Sequence, residues 1–133
     1  MDNIDTIILA GGLGTRLRTS VSDLPKVLAP VNGKPFLDIV LHSLDQSGCV
    51  GNIVIAVGYM ADKIIEKYKN SYDYSFAINF SIEKELLGTG GAIKKAMANT
   101  NSNDILVLNG DSYVDIDLRN FYTMHKKCKA EIT

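Results

Sequence analysis

Short unbroken apolar runs, each ending in glycine or a polar turn, alternate along this chain with stretches whose apolar residues recur at helical spacing. Thr6-Ile7-Ile8-Leu9-Ala10 runs into Gly11-Gly12, Asn52-Ile53-Val54-Ile55-Ala56-Val57 into Gly58, and Ile105-Leu106-Val107-Leu108 into Asn109-Gly110-Asp111. A run that is apolar at every position predicts a strand covered on both faces. Ser75 to Ile82 instead alternates, with Phe76, Ile78, Phe80 and Ile82 on one side, and so predicts a less buried strand.

The intervening stretches carry helix signals. Between Pro35, which suits a first turn, and Gly48, which suits a C-terminal cap, Phe36, Leu37, Val40, Leu41 and Leu44 form an apolar stripe. Ile64, Ile65 and Tyr68 share a face after Gly58, and a third helix is expected over about 92–98 before the Asn/Ser-rich break at 99–103. Gly11 to Pro30 reads as a loop.

Strands joined by connections too long for hairpins imply an α/β fold: a mostly parallel sheet with helices on both faces, a Rossmann-like three-layer sandwich. In such sheets ligands sit beyond the carboxyl ends of the strands, where Gly11, Glu83 and Asp111 all fall.

Composition narrows the class of ligand. A chain of 133 residues that is 46% hydrophobic can bury one core, so a single domain, 1–133, is expected. Its formal net charge of -1 supplies no global field for nucleic acid or an anionic membrane, which favours a small-molecule ligand. The opening MDNIDTIILAGG lacks both a basic n-region and an apolar stretch long enough for a signal peptide or a span, so a cytoplasmic location is expected. Cys49 and Cys128 stand singly, which suggests reduced thiols and neither a CxxC motif nor a zinc site. On that reading the sequon Asn79-Phe80-Ser81 is incidental.

The glycines after the first strand, Gly11, Gly12 and Gly14, followed by Thr15 and Arg16, would let backbone amides approach phosphate oxygens, with a guanidinium fork beside them. The plainer alternative is a turn that only reverses the chain. A dinucleotide fingerprint fits badly, since Leu17 stands where the third glycine belongs, and no GxxxxGK[ST] loop occurs. Lys26, in LPK, is a candidate phosphate partner against the ordinary reading of a surface lysine.

LAGGLGTRL, LPK, LGTGGAI and NGD, in that order and spacing, resemble the sugar-1-phosphate nucleotidyltransferase family along the whole chain. The stretch from Leu9 to Leu37 is most similar to bacterial guanylyltransferases acting on D-glycero-D-manno-heptose 1-phosphate. The resemblance implies that Gly11, Gly12, Gly14, Thr15 and Arg16 bind a nucleoside triphosphate, with the Leu9 and Ala10 backbone near the base. It further implies that Lys26 neutralises phosphate charge, Glu83 reads the base, Gly88 lets the base lie against its loop, and Asp111 binds Mg²⁺. A carboxylate can accept from both N1–H and the 2-amino group of guanine, which favours GTP over UTP or dTTP. Glu85 is an alternative base reader, and either glutamate is otherwise a solvated charge. Asp115 and Asp117 read as the opening of a helix.

The reaction so implied is transfer of GMP from GTP to a heptose- or mannose-type sugar 1-phosphate, with release of pyrophosphate, for nucleotide-sugar synthesis feeding surface polysaccharide. The sugar phosphate is already ionised and needs no base, so Arg16, Lys26, Asp111 and the metal would act by positioning and charge neutralisation. His42 and His125 are read as structural.

Two departures matter. Val27 stands where the family often has a second proline, and the family continues beyond Thr133 with sugar-contacting residues and a second metal aspartate. The chain therefore reads as the N-terminal, nucleotide-binding portion, truncated relative to the family, with an unpaired edge that self-association into a homo-oligomer would cover. The competing readings are a non-catalytic nucleotide-binding or regulatory module, and a uridylyl or thymidylyl transferase of the same family.

Overall fold

The computed structural model describes residues 3–12 and 23–133. In chain order its elements are β1 (Ile4–Ala10), β2 (Pro30–Val31), β3 (Lys34–Pro35), α1 (Phe36–Ser47), β4 (Val50–Val57), α2 (Ala61–Tyr68), β5 (Ala77–Ile82), α3 (Gly88–Met97), β6 (Ile105–Asn109) and α4 (Leu118–Cys128). Four strands form a wholly parallel sheet in the order β5-β4-β1-β6, with Ile7 opposite Val54 on one side and Val107 on the other.

The expected layers are present. Ile7 and Ile8 point to opposite faces of β1, and both are fully buried. Ile8 joins the large core with Leu37, Val40, Leu41 and Leu44 of α1 and Ile64 and Tyr68 of α2. Ile7 joins the smaller core with Val54 and with Ala96 of α3. Gly48 ends α1 in the left-handed region at φ 63°, as its position after the apolar stripe predicts.

Four details differ from the sequence expectation. The glycines of LGTGG, expected as loop, supply the first turn of α3, which begins at Gly88. Packing of Ala96 against the sheet, with Ala92 also buried, overrides the poor helix propensity of the glycines. A side chain at Gly91 would stand 2.7 Å from Leu87 Cβ, so that start of the helix requires glycine. Secondly, β6 is half-buried, with Val107 37% exposed, because among the described residues it pairs only with β1. Thirdly, the described part of the segment expected as loop up to Pro30 contains the 3-10 turn Lys26–Leu28, and β2 then pairs with β3 through Asn32 (φ 50°) and Gly33 (φ 78°). Two successive positive φ angles are what a tight hairpin turn needs, and Asn-Gly adopts them readily. Fourthly, along Phe76 and the following β5 the alternation holds for Phe76, Ile78 and Phe80 and fails at Ile82, which is 48% exposed on this edge strand.

One polar contact closes the amino end of the sheet. The buried Asp5 carboxylate accepts from the backbone N–H of Asn101 (2.6 Å) and Ser102 (3.1 Å), while the Asp5 N–H donates to Ser102 Oγ (2.9 Å). These bonds fix the Asn/Ser segment that delivers the chain into β6. Asp5→Ala leaves those amides unpaired and is expected to destabilise the fold by roughly 2–3 kcal/mol, read from the denaturant midpoint. A midpoint unchanged from the parent would mean that the anchor contributes nothing.

Candidate functional site

The chain runs β1, β4, β5 in one direction across the sheet and then returns to the other side of β1 to place β6. The loops leaving β1 and β6 therefore diverge, and a crevice opens between them at the carboxyl ends. A cleft of about 290 Å³ occupies that point.

Close backbone contacts build its floor. The N–H of Gly110 donates to the Leu9 carbonyl (2.9 Å), carrying the ladder one residue past β6. A Cβ on Gly110 would lie 2.9 Å from Val27 Cγ1 and 3.1 Å from Ile8 Cγ2, so glycine alone lets the loop after β6 meet the core. A Cβ on Gly58 would come 3.3 Å from the Gly11 carbonyl oxygen, and one on Gly11 would come 2.9 Å from Glu83 Oε1. The turns after β1, β4 and β5 are thus stacked against one another. Glu83 is tied in at both ends: its N–H donates to Val57 O (2.8 Å) and its Oε2 accepts from the Leu87 N–H (3.3 Å).

Of the residues singled out from the sequence, Leu9, Ala10, Gly11, Gly12, Lys26, Glu83, Gly88 and Asp111 all line this cleft. Gly14, Thr15 and Arg16 lie outside the described residues. Glu85 does not line the cleft, and Asp115 does not either. Asp117 caps α4 by accepting from the Asn120 N–H (2.9 Å), as the sequence suggests. His42 is exposed on α1, and His125 Nδ1 lies 2.7 Å from Thr133 Oγ1, so neither histidine faces the cleft. Cys49 and Cys128 are free thiols.

The cleft also holds residues that the sequence reading passed over: Val27, Leu86, Thr89, Ala92 and Asn109. Asn109 had a signal, being the first residue of NGD. Thr89 and Gly88 come to the cleft because α3 starts there, and the N–H groups of a helix's first turn have no intrahelical acceptor.

Charge is paired across the mouth. Lys26 Nζ lies 2.6 Å from Asp111 Oδ2, with the two side chains 39% and 33% exposed. The hydrogen bond from Lys26 holds the Asp111 carboxyl below the usual carboxylate range, against the opposing effect of partial burial. Ser112 Oγ donates to the other oxygen, Oδ1, at 3.2 Å.

An open parallel α/β sheet with a polar cleft at its switch point defines a ligand-binding α/β protein of the doubly wound kind. More specifically, residues 5–133 match the nucleotidyl transferase family, and the chain belongs to it. The chain is 42% identical over 130 residues to the D-glycero-alpha-D-manno-heptose 1-phosphate guanylyltransferase of Aneurinibacillus thermoaerophilus, covering 98% of this chain and 56% of that one. It is 45% identical over 115 residues to the enzyme of the same name from Campylobacter jejuni, covering 86% and 51%. The chain thus spans about half the length of these curated relatives. Among solved structures, HddC from Yersinia pseudotuberculosis superposes with a TM-score of 0.82 at 39% identity, over 92% of this chain and 54% of that one. The same protein has been solved in complex with GMP-PN.

The glycine contacts give a paired test. Gly110→Ala forces a methyl group against Val27 and Ile8 and should lower stability by roughly 1–3 kcal/mol, whereas Gly12→Ala, with nothing among the described residues within 4 Å of its added Cβ, should leave the fold unchanged. Thermal unfolding of the two variants reads the difference, and equal stabilities would contradict the close approach.

Proposed function

We propose that residues 1–133 form the nucleotide-binding N-terminal portion of a sugar-1-phosphate guanylyltransferase, which transfers GMP from GTP to a heptose- or mannose-type sugar 1-phosphate and releases pyrophosphate. The observation that carries this reading is the single cleft in which Gly11, Gly12, Lys26, Glu83, the start of α3 and Asp111 converge. Its similarity to heptose 1-phosphate guanylyltransferases supports the choice of substrates.

The cleft suits a nucleotide in two parts. On the Glu83 side, a carboxylate half-sunk in the wall can accept two hydrogen bonds from a guanine edge, beside Leu86 and Gly88, which leave room for a flat base. On the Lys26 side, the ammonium group and the side-chain-free Gly11 and Gly12 line the space a polyphosphate would take, with Arg16 assigned to the same role. The sugar phosphate attacks the α-phosphorus as an anion, the bond to the departing pyrophosphate breaks in line, and no proton needs to be removed.

Among the described residues no group of three or more His, Cys, Asp or Glu side chains could hold a metal by itself. Asp111 fits Mg²⁺ of the kind that takes one protein carboxylate and completes its shell with water and phosphate oxygens. Bound there, the ion would neutralise charge developing on the phosphates. A cytoplasmic location and the absence of nucleic-acid or membrane partners belong to the same proposal; among the described residues no helix is long and apolar enough to cross a membrane.

Calorimetry with GTP and magnesium tests the site, with a pyrophosphate-release assay on heptose or mannose 1-phosphate testing the reaction. Arg16→Ala and Lys26→Ala should each weaken triphosphate binding by roughly 1.5–3 kcal/mol without loss of fold. UTP or dTTP binding as tightly as GTP would replace the guanylyl reading by the uridylyl or thymidylyl one.

A further inference from the structure

The two charged side chains assigned opposite tasks in the cleft are bonded to each other. Lys26 Nζ and Asp111 Oδ2 are 2.6 Å apart. Their meeting is imposed by the core beneath them, because their chain neighbours Val27 and Gly110 are in contact, with Val27 Cγ1 only 2.9 Å from where a Gly110 Cβ would stand. Val27 is 4% exposed and Gly110 is buried. The backbone positions are therefore set by the core, while the side chains above them are 39% and 33% exposed and within reach of ligands in the cleft.

We propose that this ion pair is a latch that couples the two ligands of the cleft: triphosphate gains Lys26 only when a divalent cation takes Asp111, and the cation gains Asp111 only when phosphate takes Lys26. The inference rests on the nucleotide reading of the site and adds its regulation. Each ligand alone must part the pair and leave one charge uncompensated, whereas the two together exchange one salt bridge for two charge-assisted contacts. With neither ligand bound, the cleft would present a neutralised pair to solvent, discriminating against metal-free nucleotide and against stray cations.

The latch and a set of independent charges predict opposite results for removal of Lys26. With independent charges, the lysine matters most to metal-free GTP, which carries its full negative charge, and less to the magnesium complex. With the latch, metal-free GTP gains little from a lysine already held by Asp111. Calorimetric titration of the protein with GTP, in EDTA and in excess Mg²⁺, separates the two. Because Lys26→Met alone would also bare the Asp111 carboxylate beside the triphosphate, the loss is read between the parent and the double variant Lys26→Met/Asp111→Asn, and the expected result is under about threefold in EDTA and at least about tenfold with Mg²⁺. In an Asp111→Asn background, where the lysine is released, Lys26→Met should cost at least about tenfold in EDTA. A larger loss in EDTA than in Mg²⁺ between the parent and the double variant, or no loss from Lys26→Met in EDTA in the Asp111→Asn background, overturns the latch while leaving the nucleotide site intact. Failure of the parent protein to bind GTP under either condition overturns the nucleotide reading itself, and the latch with it.

Discussion

Everything in this fold is hung on β1, a strand enclosed on all four sides. Its edges pair with β4 and β6, and its faces bury Ile7 under α3 and Ile8 under α1 and α2. A strand so enclosed cannot slip by one residue without driving Asp5 or a loop glycine into the core, so its register is fixed. That register decides where Ala10 ends the strand and where Gly11 and Gly12 begin, and through the bond from the Gly110 N–H to Leu9 O it also decides where the loop after β6 departs. The cleft is the space between those two departures.

Much of this could be read from the chain because burial on both faces leaves a plain mark in sequence. The runs at Ile7, Ile53 and Ile105 locate three strands, the stripes at Leu37 and Ile64 locate two helices, and the glycine or polar residues that end the runs locate the rim. What the sequence did not yield falls into two kinds. Local signals were present at Asn32-Gly33, whose successive positive φ angles make the hairpin, but its strands, two residues each, are too short to leave a pattern in sequence. Non-local features left no mark. Asp5 bonds residues 96 and 97 positions away, and the start of α3 at Gly88 depends on the packing of Ala96 on the sheet.

The site divides in the same way. That Gly11, Gly12, Lys26, Glu83, Gly88 and Asp111 share one cleft follows from strand ends in a parallel sheet, which is a property of topology. Their partners do not follow. The Lys26–Asp111 pair and the embrace of Glu83 by Gly11 and Leu87 are set by core contacts between loops far apart in the chain. Electrostatics at the cleft mouth are therefore a consequence of packing below it, with Val27 against Gly110 as the contact that transmits one to the other.

A second hollow, of about 600 Å³ beside β6 and lined by Val40, Val107, Tyr113 and Leu118, offers a larger and more apolar space than the cleft. The nucleotide reading of the switch-point cleft is thus a choice between two concavities, made on polarity, on the side-chain-free glycines that line it and on topology. Amide chemical-shift mapping by NMR during titration with GTP and magnesium tests it directly. The account predicts that the shifts concentrate at Leu9, Gly11, Gly12, Glu83, Gly88, Thr89 and Asp111. Shifts confined to Val40, Val107, Tyr113 and Leu118 would contradict it and move the ligand to the other side of β6.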